Sequence, residues 1–258
     1  IAQEKFTGYA PKSKILAQLF SNILAYAPAY VQDNGMVITN NSYGNITDDC
    51  TAFGVYDLYS RVLDQQAFQM PNLQHVFASG NSGDYVCSPY PAGFSTVLGS
   101  YQTSKNTISV GNTNELGVLF SNSSKGPVRD GRIKPEIVAQ GMFVTSTTPV
   151  NAYGPQSGTS MAAPAVSGGL ALLYQRYRQL NGNANPKNGL VKTLLCNGAT
   201  DIGNAGPDFS YGFGWMNLLR SVKMLENTNY FNTSVNSLAT NTHNITIPAA
   251  SNIAALKV

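Results

Sequence analysis

Short apolar runs separated by helix-period stretches fill the first 112 residues, and this alternation leaves the chain few architectures. Residues 14–19 read as a strand, 21–32 as a helix, and 36–40 as a second strand. A helix follows over 54–68, where Val55, Leu58, Tyr59, Val62 and Leu63 recur at helical spacing. The run His75-Val-Phe-Ala-Ser-Gly-Asn81 is then a buried strand that ends in a Gly-Asn-Ser-Gly turn. Such an order predicts a doubly wound α/β domain, a mainly parallel sheet with helices on both faces. Further strands are expected over 107–112, 134–139 and 143–148, and helices over 189–195 and 216–225. A long helix should run from 158 to 180, with Arg176 and Arg178 near its C-terminal end, where cations suit the dipole, and Asn181-Gly182 as its stop. Beyond residue 227 Asn, Thr and Ser dominate, and Asn244-Ile-Thr-Ile-Pro248 alternates with period two. Residues 1–226 thus read as one domain, and 227–258 as a linker plus the first strand or two of a C-terminal β-sandwich.

Composition narrows the function. Charged residues are 11% of the 258, against about a quarter in an ordinary soluble domain. Asn, Gly, Ser and Thr carry the polarity instead, as is common in exported proteins, so the expected location is secreted or cell envelope. The net charge of +3 is spread along the chain, which argues against a nucleic-acid partner. The longest apolar run, 162–174, is interrupted by Pro164, Ser167 and paired glycines, so no membrane span is expected. Three cysteines without CxxC spacing and two histidines give no zinc site. Cys50 and Cys87 each lie beyond the C-terminal end of a strand and can pair where export permits bridging, whereas Cys196, in a helical apolar run, should be a buried thiol. The chain opens on Ile1 rather than Met, as a processed product would.

The segment with most chemistry in it is Gly158-Thr-Ser-Met-Ala-Ala-Pro-Ala-Val-Ser-Gly168. It opens a helix with a serine in the first turn, where free backbone N–H groups can stabilise an oxyanion. Ala162, Ala163, Gly168 and Gly169 let that helix approach a sheet closely, and Pro164 falls in the early turns. On this spacing alone Ser160 is equally well a nucleophile or an N-cap of a buried helix. Asn81 is likewise open between a left-handed turn residue and a neutral amide donor aimed at developing negative charge.

Gly-Thr-Ser-Met-Ala-Ala-Pro closely resembles the nucleophile motif of the subtilisin-like serine peptidases, and other segments agree in the family's order. Tyr9-Ala-Pro-Lys-Ser-Lys-Ile-Leu resembles the family's entry into a sheet strand, and Val37-Ile-Thr-Asn-Asn-Ser-Tyr-Gly44 its substrate-binding strand. Val76-Phe-Ala-Ser-Gly-Asn-Ser-Gly83 is similar to the turn that carries the oxyanion-hole Asn. Phe120-Ser-Asn-Ser-Ser-Lys-Gly-Pro127, Lys134-Pro-Glu-Ile-Val-Ala and Tyr211-Gly-Phe-Gly-Trp-Met-Asn217 resemble further hallmark stretches. The resemblance implies a serine endopeptidase acting on a polypeptide substrate, with Ser160 as nucleophile and Asn81 in the oxyanion hole, their side chains a few ångström apart across a cleft. It further implies that Ser42, Tyr43 and Gly44 pair with extended substrate, and that Ala78, Ser79 and Gly80 line a roomy apolar pocket for the side chain preceding the cut. Calcium is allowed as a cofactor by the resemblance, with no site assigned.

The Ser-His-Asp mechanism also needs a base and a carboxylate. His75 stands at the start of the strand whose far end carries Asn81, roughly 20 Å away at strand rise, and His243 falls in the C-terminal extension. The family's Asp-Thr-Gly strand and His-Gly-Thr-His helix are not among the 258 residues. The expectation is therefore an N-terminally truncated domain that supplies nucleophile and oxyanion hole, lacks Asp and His, is inactive alone, and exposes sheet edge left by its missing N-terminal segment. The other reading is a non-catalytic binding or structural module on the same fold. An α/β-hydrolase would need Gly-x-Ser-x-Gly, and position 162 is Ala.

Overall fold

A computed structural model describes residues 7–244. Its centre is a four-stranded sheet of β1 (Ile38–Asn41), β2 (Gln74–Ala78), β3 (Ile108–Thr113) and β4 (Ile137–Gln140), in that spatial order. All three pairings are parallel, with Asn41 opposite Phe77, Ala78 opposite Val110, and Thr113 opposite Gln140. β2 and β3 are buried at every position, as expected of parallel strands covered on both faces.

The helices are α1 (Ile23–Asn34), α2 (Leu58–Gln69), α3 (Thr159–Leu180), α4 (Asn188–Gly198) and α5 (Leu218–Glu226). On one face α3 crosses all four strands. Its Ala162, Ala163, Val166, Leu170, Leu173 and Tyr174 bury against Val76, Ile108, Val110 and Ile137, and α4 and α5 close this core. Small residues early in α3 and large ones later fit a helix whose start hugs the sheet edge. The other face carries α2, begun by Asp57, whose carboxylate accepts from Tyr59 N and Ser60 N, a capping box.

The doubly wound α/β reading thus holds, with two local corrections. Residues 14–19 form no strand and lead into a 3-10 turn at Phe20–Asn22. Ile15 is 84% exposed and Leu19 73%, so the run lacks the apolar cover and ladder partner that stabilise a strand. Second, Val144–Thr148 (β5) pairs antiparallel with β6, Ala152–Gln156. That partner was hidden by Gly154-Pro155, which argues against a strand except at an edge. Residues 227–244 contain neither helix nor strand, and the strand expected over 244–248 falls, from Ile245 on, outside the described residues.

The expected bridge forms: Cys50 and Cys87 are disulfide-bonded across 37 residues, with Cα atoms 5.5 Å apart. Cys196 is a buried thiol in α4. No helix among the described residues is long and apolar enough to cross a membrane.

Candidate active site

Parallel strands point their carboxyl ends to one edge, and loops leaving there gather ligand-binding groups. Since Asn41 pairs with Phe77, Ser42–Tyr43–Gly44 and Ala78–Ser79–Gly80–Asn81 leave this edge side by side. The N-terminus of α3 arrives at the same place, and three interactions lock it there.

Asn81 Oδ1 accepts from the Thr159 backbone N–H at 3.0 Å and from Thr159 Oγ1 at 2.9 Å. A backbone N–H can only donate, so the carbonyl end of the amide must face the helix. The Nδ2 donor is thereby turned the other way, and Asn81 is exposed. Thr159 Oγ1 is also reached by Gly80 N at 3.4 Å.

The second lock follows from Pro164. Having no N–H, it cannot donate to the carbonyl four residues earlier, that of Ser160. Ser42 Oγ fills the gap and donates to Ser160 O at 2.8 Å. Reciprocally, Ser160 Oγ donates to Ser42 O at 3.4 Å, a long and therefore weak bond.

The third lock is backbone conformation at Gly158, whose φ is +151°. A Cβ there would be strained and would lie 3.3 Å from Asn81 Nδ2. Ser160 itself is half-buried.

The segments named from sequence therefore meet at one edge. Ala78, Ser79 and Gly80 are buried, and the Leu98 side chain stands against Gly80 and Gly44. Sequence reasoning missed Leu98, which no motif marks, and the bridge Thr159 makes to Asn81 and Gly80. The Ser42 contact had a readable signal, the missing N–H four residues after Ser160.

Neither histidine reaches Ser160. His75 is buried in β2 opposite Thr39, its Nδ1 2.8 Å from Thr39 Oγ1, and burial pulls its pKa down to about 4. His243 stacks on Phe231 with ring centroids 4.1 Å apart. Among the described residues no group of three or more His, Cys, Asp or Glu side chains could hold a metal ion, so no step through calcium is derived.

Comparison with known proteins agrees with this architecture. The chain is 30% identical to Subtilisin DY of Bacillus licheniformis over 140 residues, 54% of this chain and 42% of that protein. Identity to Pyrolysin of Pyrococcus furiosus is 36% over 115 residues, 42% of this chain and 8% of the relative. The chain thus spans less than half the length of these relatives. Among solved structures, the Clostridium perfringens CspB protease superposes with a TM-score of 0.67 at 18% identity, covering 84% of this chain and 74% of the other. The prenylagaramide maturation protease PagA does so with 0.61 at 24%, covering 83% and 70%; both likenesses concern the fold. The model of the subtilase family, peptidase S8, matches residues 2–214, and the chain belongs to that family of serine proteases.

Proposed function

We propose that this chain carries the nucleophile and oxyanion hole of a subtilisin-type serine endopeptidase. In this reading Ser160 Oγ attacks the scissile carbonyl carbon and passes its proton to an imidazole. Asn81 Nδ2 donates to the oxyanion that forms, and the C–N bond then breaks as the imidazolium returns the proton to the leaving amine. Extended substrate pairs with the backbone of Ser42, Tyr43 and Gly44, as peptides add to an exposed strand, and its side chain before the cut meets Ala78, Ser79 and Gly80. The observation that carries the reading is the Asn81–Thr159 bond pair, which ties the amide to the residue preceding Ser160 while leaving Nδ2 outward.

On this reading the base comes from polypeptide beyond the described residues, because both histidines stand elsewhere. The disulfide supports work outside the reducing cytosol, at the cell envelope or beyond. The distance of both imidazoles from Ser160 is also the one observation that favours the second reading, a binding module.

Fluorophosphonate labelling and cleavage of an unstructured protein decide between them. The 258-residue chain should be inert, whereas a longer product of the same reading frame that contributes an Asp and a His should label at Ser160 and turn over. Ser160→Ala should abolish both, and Asn81→Ala should lower the rate about 10²–10³-fold, the effect such a donor has in subtilisin. An inert longer product with both residues in place would leave the binding module. Turnover by the 258-residue chain that depends on Ser160 would mean that an unassigned base serves the site.

A further inference from the structure

We infer that Leu98 fills the pocket for the residue preceding the cut and restricts that residue to a small side chain, glycine, alanine or serine. The inference rests on the peptidase reading of the Ser160 cleft. Gly44 and Gly80 stand on the two chain segments that would flank the substrate side chain, and neither has a Cβ, which ordinarily leaves a slot. Leu98 reaches that slot from both sides, beside Gln102 Nε2, 2.5 Å from a Cβ on Gly44, and Ser124 Oγ, 2.7 Å from one on Gly80. A Cβ on Gly44 would lie 2.7 Å from Leu98 Cδ1, and one on Gly80 would lie 2.8 Å from Leu98 Cγ. The isobutyl group therefore touches both walls at once, and only 5% of Leu98 is exposed.

Retraction of this side chain is opposed on several sides. Leu98 N donates to Ser79 O at 3.0 Å, which pins its backbone to the pocket wall. Behind it lie Phe53 and Cys87, both buried, with Cys50 and Tyr85 packed against the same cluster. The disulfide is part of that backing, so the plug rests on a covalently fixed support. Close-packed interiors of this kind do not yield room for an aromatic ring without large shifts.

The test needs binding alone. Blocked tetrapeptides with a free C-terminal carboxylate, identical except for a terminal Ala or Phe, are titrated into the 258-residue chain and followed by amide resonances of Gly44, Asn81 and Ser160. The wild-type chain should bind the Ala peptide at least about tenfold more tightly than the Phe peptide. Leu98→Ala should move the Phe-to-Ala affinity ratio toward Phe by about tenfold, the scale on which pockets discriminate by side-chain size. Equal binding, or a preference for Phe, by the wild-type chain overturns the inference without any variant. So does a folded Leu98→Ala chain whose ratio does not move. If neither peptide perturbs those three resonances, the peptidase reading falls and takes this inference with it, an outcome distinct from binding without discrimination.

Discussion

Replacing Glu136 with Gln removes the one negative charge from a buried cluster that joins β3, β4 and α4. Glu136 Oε1 receives Lys134 Nζ at 2.6 Å and Lys192 Nζ at 2.7 Å, and Oε2 accepts from Ser109 N at 2.7 Å. Burial pushes the Glu136 pKa up, but the two ammonium groups outweigh it and hold the carboxyl below its usual range. Glutamine keeps an acceptor for Ser109 but turns its NH2 toward both ammonium groups, so the lysines lose an acceptor as well as the charge. Lys192 is 23% exposed and retains Lys105 O and Thr107 O. Lys134 is 1% exposed and retains only Thr107 O at 3.3 Å and Thr107 Oγ1 at 3.4 Å. The loss thus falls on Lys134, and breaking a buried pair in this way costs about 3–5 kcal/mol. A ceiling comes from chemistry. An unpartnered buried lysine sheds its proton, and at pH 7, about 3.4 pH units below a free lysine's pKa, that costs about 5 kcal/mol.

The pH dependence separates this account from simple loss of packing. In the wild-type fold burial pulls Lys134 down to about 8, helped by the like charge of Lys192 and opposed by Glu136. With its pKa near 8, the folded wild type holds most of this proton at pH 7 and half of it at pH 8, so Lys134 adds only about 0.4 kcal/mol over that interval. The variant carries it only when unfolded, so its stability climbs by about 1.4 kcal/mol per pH unit. The gap should narrow by about 1 kcal/mol from pH 7 to 8 and by less from pH 8 to 9, where the wild type climbs as well. Urea unfolding followed by the fluorescence of Trp215, the single tryptophan, at pH 7, 8 and 9 measures this. A cost below about 1 kcal/mol at pH 7, or a gap identical at pH 7 and 8, would refute it.

Opening the Cys50–Cys87 bridge frees a 37-residue loop, worth about 4 kcal/mol by chain entropy. Unfolding midpoints of the Cys50→Ser, Cys87→Ser double variant should fall accordingly, and a loss under about 1 kcal/mol would contradict the estimate. His75, with its pKa lowered to about 4 by burial, takes up a proton in the unfolded chain before the fold does. Stability should therefore be full above about pH 6.5 and fall by about 3 kcal/mol as the pH drops to 4. His75→Gln should flatten that limb, and an unchanged acid slope would show that other groups cause it.

The sheet and the site were legible to different degrees, for physical reasons. β2 and β3 are buried at every position, so their apolar runs were unambiguous, and α3 announced itself by small residues followed by large ones. Residues 14–19 show the limit of such reading. Their apolar content matches a strand, yet a strand exists only with a ladder partner, which a local window does not contain. Candidate site residues could be proposed because their motifs are short and local. Leu98 could not, because its proposed role depends on two glycines 54 and 18 residues earlier in the chain, brought to it by folding alone.

The placement of Ser160 illustrates how hydrogen-bond accounting, more than packing, organises this edge of the sheet. A helix start leaves backbone N–H groups unsatisfied, and Asn81 takes the first of them. A proline inside the helix leaves a carbonyl unsatisfied, and Ser42 takes that one. Each orphan is met by a residue just past the end of a different parallel strand, so Ser160 is tied to the end of β1 through Ser42, and its neighbour Thr159 to the loop after β2 through Asn81. The side chain is held far less firmly, by a single contact of 3.4 Å to Ser42 O. A rigid backbone with a weakly tethered hydroxyl is the combination a nucleophile needs. On the peptidase reading, its position relative to Asn81 is set before substrate arrives, while the O–H can leave Ser42 O for a base at little energetic cost.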